Sequence, residues 1–357
     1  MAKVTYGPGD QSTEPLASDT SSPRPAPTVL RTVLHGAAAV LGVLALVYVV
    51  RGVGVEGFFA VVTASAPWLP LLFALEAVRL GTEIAMTYTV TRAVRERIPV
   101  SELVRIHVVA FGVSLVLPAG RTTAEATRAA MLSPFIGMVD SSAIAFCNQS
   151  MVLLGGALVA LACLASALWL TVPSAFVATL FGFTCATSVA FALCQLGARR
   201  AEVSGLIRRY VARMAPAATA FQNATRSLPV FPLGPVAAAF ASRVVQVVEY
   251  AVLLFALGRH HGMAESFLAE GVNLIGGAVG DFIPGQVGAT DGAFALAAHS
   301  LRITAADGVA MAVMLHFVQI VWALIGLSVP LWWPQAVTAP SRSGGAIGPE
   351  TCSHRGR

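Results

Sequence analysis

The sequence predicts an all-α polytopic membrane protein with six spanning helices plus two re-entrant helical hairpins in an inverted repeat. Three observations carry that expectation. Of 357 residues, 56% are hydrophobic and only 11% are charged, against roughly 25% charge in soluble domains. Long apolar runs recur between two polar ends. Two of these runs are interrupted by Pro/Gly-rich breaks that resemble each other in spacing.

A water-soluble fold of this size cannot cover its surface with so few charges, and disordered, collagen-like and disulfide-scaffold classes fail on the apolar runs. The 23 basic residues exceed the 18 acids by five. Basic residues beside membrane spans set orientation, so no nucleic-acid partner is inferred. The five cysteines are scattered, without CxxC or Cys/His metal spacing; no metal and no cofactor are expected.

Residues 1–30, rich in Pro, Ser, Thr and Asp, cannot form a core and read as a disordered cytoplasmic tail. Residues 335–357 read as a second. Residues 31–334 between them form the transmembrane domain. A spanning helix needs about 20 apolar residues, and six segments qualify: about 33–50, 67–91, 139–163, 171–195, 235–258 and 305–333. The region 100–133 breaks around Pro118 and Gly120, and the region 265–299 breaks around Pro284, Gly285 and Gly288. Their flanks are too short to cross, so each region reads as a re-entrant hairpin or broken helix. Residues 198–228 read as an amphipathic segment on the cytoplasmic face.

Charge placement tests this layout. With both termini in the cytoplasm, 15 basic residues lie inside, three (Arg51, Arg259, Arg302) outside, and five (Arg79, Arg105, Arg121, Arg128, Arg243) within membrane segments. Pro118 and Pro284 are 166 residues apart, as are Glu125 and Asp291, and Glu83 and Glu249. Three full spans separate the hairpins, so the second enters from the opposite face. The repeat units are about 67–163 and 235–333.

The five arginines are joined at membrane depth by Glu76, Glu83, Glu125, Glu249, Asp281 and Asp291. At ~2.5–3.5 kcal/mol each, exposing all of them to lipid would cost on the order of 30 kcal/mol, so they must face one another or a hydrated cavity. Glu76, Arg79, Glu83 and Thr87 share one helix face by their 3- and 4-residue steps. Arg243, Gln246 and Glu249/Tyr250 form the matching stripe. Each stripe is either an Arg–Glu network that glues the bundle or a substrate contact. Thr122-Thr123-Ala124-Glu125 fits a capping box, and Thr290 or Asp291 fits a cap for the second hairpin. Arg121 and Arg128 bracket a helix N-terminus, which makes them candidate contacts for an anionic headgroup. Gly276/Gly280 and Gly288/Gly292 have the spacing of close helix approach. Asn148, Gln149 and Gln319 read as hydrogen-bonding partners across helices.

At Pro118–Leu132 (PAGRTTAEATRAAML) and Pro284–Phe294 (PGQVGATDGAF) the sequence resembles the lysylphosphatidylglycerol synthetase transmembrane, or flippase, domain family. That family places Gly-Glu-x-x-Arg after a Pro-led break and, later, Pro-Gly-Gly-x-Gly-x-x-Glu. Here Glu125 and Arg128 match the first pattern, with Ala124 in place of Gly. Gln286 and Asp291 replace Gly and Glu of the second. The resemblance implies a divergent standalone member without the aminoacyl-transferase domain. It also implies lipid translocation between leaflets, with the paired hairpins lining a groove.

The expected function is therefore a flippase or transporter in a bacterial inner membrane that moves an anionic lipid or lipid-linked headgroup. The expected groove residues are Arg79, Glu83, Arg121, Glu125, Arg128, Arg243, Glu249 and Asp291. No catalytic motif is present, so an enzyme is not expected. Three alternatives stand beside this reading: a membrane-embedded enzyme acting on a lipid-linked sugar, a small-anion or proton-coupled transporter, and a non-transporting membrane partner. Membrane lipids are the expected partners, and a homo-oligomer is compatible with the sequence.

Overall fold

The structure is a computed structural model that describes residues 63–200, 215–258 and 262–333. Both tails, the 33–50 segment, residues 201–214 and the His260-His261 pair lie outside the described residues. Within them the chain is all-α, with ten helices and no strand. After a 3-10 turn at Ala66–Trp68 come α1 (Leu69–Val90), α2 (Val100–Val116), α3 (Gly120–Ile136), α4 (Met138–Trp169) and α5 (Ser174–Arg199). Then follow α6 (Ala215–Ser227), α7 (Leu233–Ala256), α8 (Met263–Gly280), α9 (Ala289–Ala297) and α10 (Ala305–Trp332).

Four of these helices, α4, α5, α7 and α10, are long and apolar enough to cross a membrane. Helix α1 fills the expected 67–91 segment, but it carries Glu76, Arg79 and Glu83 in 22 residues. Its buried positions Leu72, Glu76, Leu80, Glu83 and Thr87 lie on one face, so the charged stripe points into the protein. Helix α5 is the most exposed of the four and presents Phe181, Val189, Leu193 and Leu196 outward, a surface that suits lipid. Of the expected amphipathic segment over 198–228, residues 201–214 lie outside the described residues; α5 ends at Arg199 and α6 covers Ala215–Ser227. Gly-free α6 is tied back by Arg226, whose Nε donates to the Arg199 carbonyl at 2.8 Å.

The packing has a matched pattern. Helix α1 lies against α7; α2 packs on α10, and α8 on α4. Likewise α2 packs on α3 as α8 does on α9, and α3 on α4 as α9 does on α10. Exchanging residues 69–169 with 233–332 maps the α1–α7 pair onto itself and each of the other pairs onto its counterpart. The main core is built from Leu72, Tyr250, Leu253, Leu268, Phe294 and Met314, among others, and joins helices of both units.

Both regions expected to break do so at the expected prolines. Helix α2 ends before Leu117 and α3 starts at Gly120. Helix α8 ends at Gly280, a 3-10 turn occupies Pro284–Gln286, and α9 starts at Ala289. In the first break the left-handed residue is Ala119 (φ 52°), not Gly120. Gly120 is required for a different reason: a Cβ there would collide with the Ser114 carbonyl. In the second break Gly285 and Gly288 take positive φ, and so does Gln286 (φ 58°). The two breaks touch, since the Ala119 N–H donates to the Asp281 carbonyl at 2.8 Å. That bond satisfies backbone groups that no helix can satisfy there.

Gly276 and Gly280 allow the close approach that their spacing predicts. A Cβ on Gly276 would lie 2.9 Å from the Ala293 Cβ, and one on Gly280 would lie 2.8 Å from the Ala289 Cβ. Gly292 meets nothing within 4 Å, so the second pair does not play this part. Replacing Gly276 by Val should therefore cost about 1–3 kcal/mol through overpacking. Gly182→Ala, on open α5 surface, should leave stability unchanged or raise it by up to about 1 kcal/mol. Thermal unfolding of the two purified variants in detergent checks the contrast.

Candidate functional site

A polar cavity of about 450 Å³ lies where α1, both breaks, α7 and α10 converge. Helix α1 contributes Arg79 and Glu83, and the first break contributes Arg121 and Arg128. Helix α7 adds Arg243 and Gln246; α8 and the second break add Asn273, Asp281 and Gln286; α4 adds Gln149, and α10 adds His316 and Gln319. Of the eight sequence-predicted groove residues, five line this cavity: Arg79, Glu83, Arg121, Arg128 and Arg243. Glu125, Glu249 and Asp291 are buried behind its wall.

Glu83 is the hub. Its carboxylate lies 2.6 Å from Arg128 and 3.6 Å from both Arg79 and Arg121. Arg128 also holds Glu125 at 2.5 Å and is only 3% exposed. Arg79 forks onto Glu76, with its Nε 2.7 Å from one oxygen and a second nitrogen on the other. Its guanidinium carbon sits 5.6 Å from the centre of the Phe111 ring, an arrangement that stabilises a desolvated cation. Below this cluster Thr87 receives a hydrogen bond from Asn148 Nδ2 (2.8 Å) and lies 2.9 Å from His107 Nε2. The expected cross-helix role of Asn148 is thus visible, whereas Gln149 and Gln319 face the cavity.

The arginines differ in how fully they are neutralised. Arg128 has two short ion pairs and little exposure. Arg121 has one long contact, to Glu83 at 3.6 Å, and is 30% exposed; among the described residues its Nε, like that of Arg128, has no hydrogen-bond partner. Arg243 has one long contact to Glu270 at 3.4 Å, donates to Gln246 at 3.1 Å, and is 21% exposed. Arg121 and Arg243 repel one another electrostatically across the cavity. Two incompletely paired guanidiniums facing one cavity form an anion-attracting pair.

Several sequence-level expectations change here. The capping box at Thr122–Glu125 does not form: Glu125 turns to Arg128, and Thr123 Oγ1 donates to the Pro118 and Ala119 carbonyls. Asp291, by contrast, does cap its helix, accepting from the Gly288 N–H at 2.6 Å, with His316 Nε2 3.5 Å away. Arg105 belongs to a separate buried pair with Glu102 at 2.7 Å. Glu270, which also accepts from Asn273 Nδ2 at 3.0 Å, is the partner of Arg243 that sequence reasoning missed. It is buried in the apolar stretch of α8 beyond the first-turn Glu265, and the rule that selected the other acids at membrane depth would have selected it too.

A bundle of apolar helices enclosing a charged cavity defines the class as a multi-pass membrane protein. The family described as Lysylphosphatidylglycerol synthase TM region matches residues 34–326, and the chain belongs to that family. No curated protein and no solved structure matches it.

The ion-pair geometry predicts unequal costs. Arg128→Ala leaves the Glu83–Glu125 pair buried without its nearest cation and should destabilise by about 3–5 kcal/mol. Arg121→Ala removes only a long, partly solvated contact and should cost less than about 1 kcal/mol. Thermal melts of the two variants side by side test that order.

Proposed function

We propose that the chain translocates an anionic phospholipid between leaflets, with the phosphate held between Arg121 and Arg243. The observation that carries this reading is the pair itself: two partly exposed, weakly neutralised guanidiniums from different repeat units facing one polar cavity. The expected headgroup contact thereby moves from Arg128 to Arg121, because the buried Arg128 already has short ion pairs to Glu83 and Glu125. A cavity of about 450 Å³ is of the size that holds a small ligand. It suits a headgroup, while the acyl chains remain in lipid. Membership of the family supports a lipid-related role.

In this reading α1 and the 33–50 segment join the four apolar helices as spans. The hairpins α2/α3 and α8/α9 are re-entrant from opposite faces, and the two units form an inverted repeat. The matched packing pairs and the contact between the two breaks support that arrangement, which in transporters puts the binding site at the repeat interface. The setting is a bacterial inner membrane with both termini in the cytoplasm, the orientation supported by the distribution of basic residues. The chain performs no covalent chemistry on its lipid.

The test is translocation of a fluorescent phosphatidylglycerol in reconstituted vesicles, with phosphatidylcholine as the zwitterionic control. Hydrogen bonds to a charged group contribute about 1.5–3 kcal/mol, and about 1.4 kcal/mol is a factor of ten. Arg121→Gln and Arg243→Gln should therefore each slow phosphatidylglycerol movement by roughly tenfold or more. Unchanged rates in both variants would remove the assignment. Flux of a soluble anion with no lipid movement would transfer it to a small-anion transporter.

A further inference from the structure

Glu249 lies on α7 and faces α1. It is fully buried, and neither carboxyl oxygen meets a hydrogen-bond donor among the described residues. Neighbouring acids are treated differently. Glu83 takes Arg128, Glu125 takes Arg128, Glu270 takes Asn273 and Arg243, and Asp291 takes the Gly288 N–H. What Glu249 faces, within hydrogen-bonding reach, is the carboxyl group of Glu76. Both Glu76 oxygens are already engaged by Arg79.

Two carboxylates in contact cannot both ionise in a site closed to water. An ionised carboxylate buried without a donor costs several kcal/mol. The guanidinium that could offset one negative charge is bound to Glu76, so Glu249 is the group left to be neutral. We propose that Glu249 binds a proton and donates it in a hydrogen bond to Glu76, so that the pair forms a proton site between the two repeat units.

The surrounding charges are consistent with a single proton there. From α1 come Glu76 and Arg79, and from α8 comes Glu270. The neighbouring titratable group on α7 itself is Tyr250, with Arg243 further along. Helix α4 carries one charge, Asp140, in its first turn, and α10 carries Asp307 in its first turn. His316 of α10 is turned towards Asp291.

Arg79 connects this site to the cavity, since it holds Glu76, stands 3.6 Å from Glu83 and lines the cavity wall. An anion in the cavity competes for the charge of Arg79 and so strengthens proton binding at the carboxyl pair. By reciprocity the proton strengthens anion binding. This linkage rests on the anion reading above; the proton site itself does not.

Infrared spectroscopy of the purified full chain at neutral pH tests the site. Glu249→Gln should remove a protonated-carboxyl band and melt like the unaltered protein, because an amide is close in shape to a neutral carboxyl. Glu76→Gln, which removes the neighbouring carboxylate and frees Arg79 to offset the charge of Glu249, should weaken the band. If Glu249→Gln removes no such band, or does not fold, the proposal is overturned. Loss of the band in Glu76→Gln but not in Glu249→Gln overturns it as well. The linkage is read separately with dihexanoyl phosphatidylglycerol, whose phosphodiester keeps its charge. Binding should weaken as the pH is raised into the alkaline range, and should stay tight and flat in Glu249→Gln. No binding in either protein counts against the anion reading and leaves the infrared result standing.

Discussion

One buried carboxylate organises the centre of this protein. Charge at membrane depth is costly unless it is paired, and Glu83 answers that constraint for three arginines at once, one from α1 and two from the helix after the first break. A single negative charge cannot neutralise three positive ones. Glu125 and Glu76 make up the balance for Arg128 and Arg79, which leaves Arg121 with a long contact and an exposed face. Arg128, buried with two short ion pairs, and Arg121, loosely paired and partly exposed, lie seven residues apart on one helix, and this asymmetry is what supports the proposal that Arg121 meets the ligand.

The breaks put that asymmetry where it can act. Interrupting α2/α3 at Pro118 places Arg121 in the first turn of a new helix, beside the Asp281 end of the other break. Irregular backbone is tolerated at such depth only when other groups satisfy it, and the Ala119–Asp281 hydrogen bond does so across the two units. Close packing of the α8 and α9 arms through Gly276 and Gly280 holds the second break against the first. The cavity is thus bounded by backbone that neither hairpin could hold in that form alone.

Much of this was legible in the sequence because membrane depth makes rare residues informative. Pro118 and Pro284 marked the breaks, the 3- and 4-residue steps from Glu76 to Thr87 marked the buried face of α1, and Asp291 marked a cap. Other features were hidden because they depend on which elements meet. That Arg128 is shared between Glu125 and Glu83 follows from where α1 places Glu83. That Glu249 faces Glu76 follows from how α7 packs on α1. Local spacing carries neither. Gly120 shows the same limit: its presence at the break was readable, but the Ser114 carbonyl that requires it was not.

The central claim is that Arg121 and Arg243 together hold an anionic headgroup. Native mass spectrometry of the purified protein tests it most directly. The unaltered chain should retain an anionic phospholipid in preference to zwitterionic ones, and the Arg121→Gln/Arg243→Gln double variant, recovered as folded protein, should lose that preference. Equal retention of anionic and zwitterionic lipids by the unaltered chain, or an undiminished anionic preference in the double variant, would contradict the account.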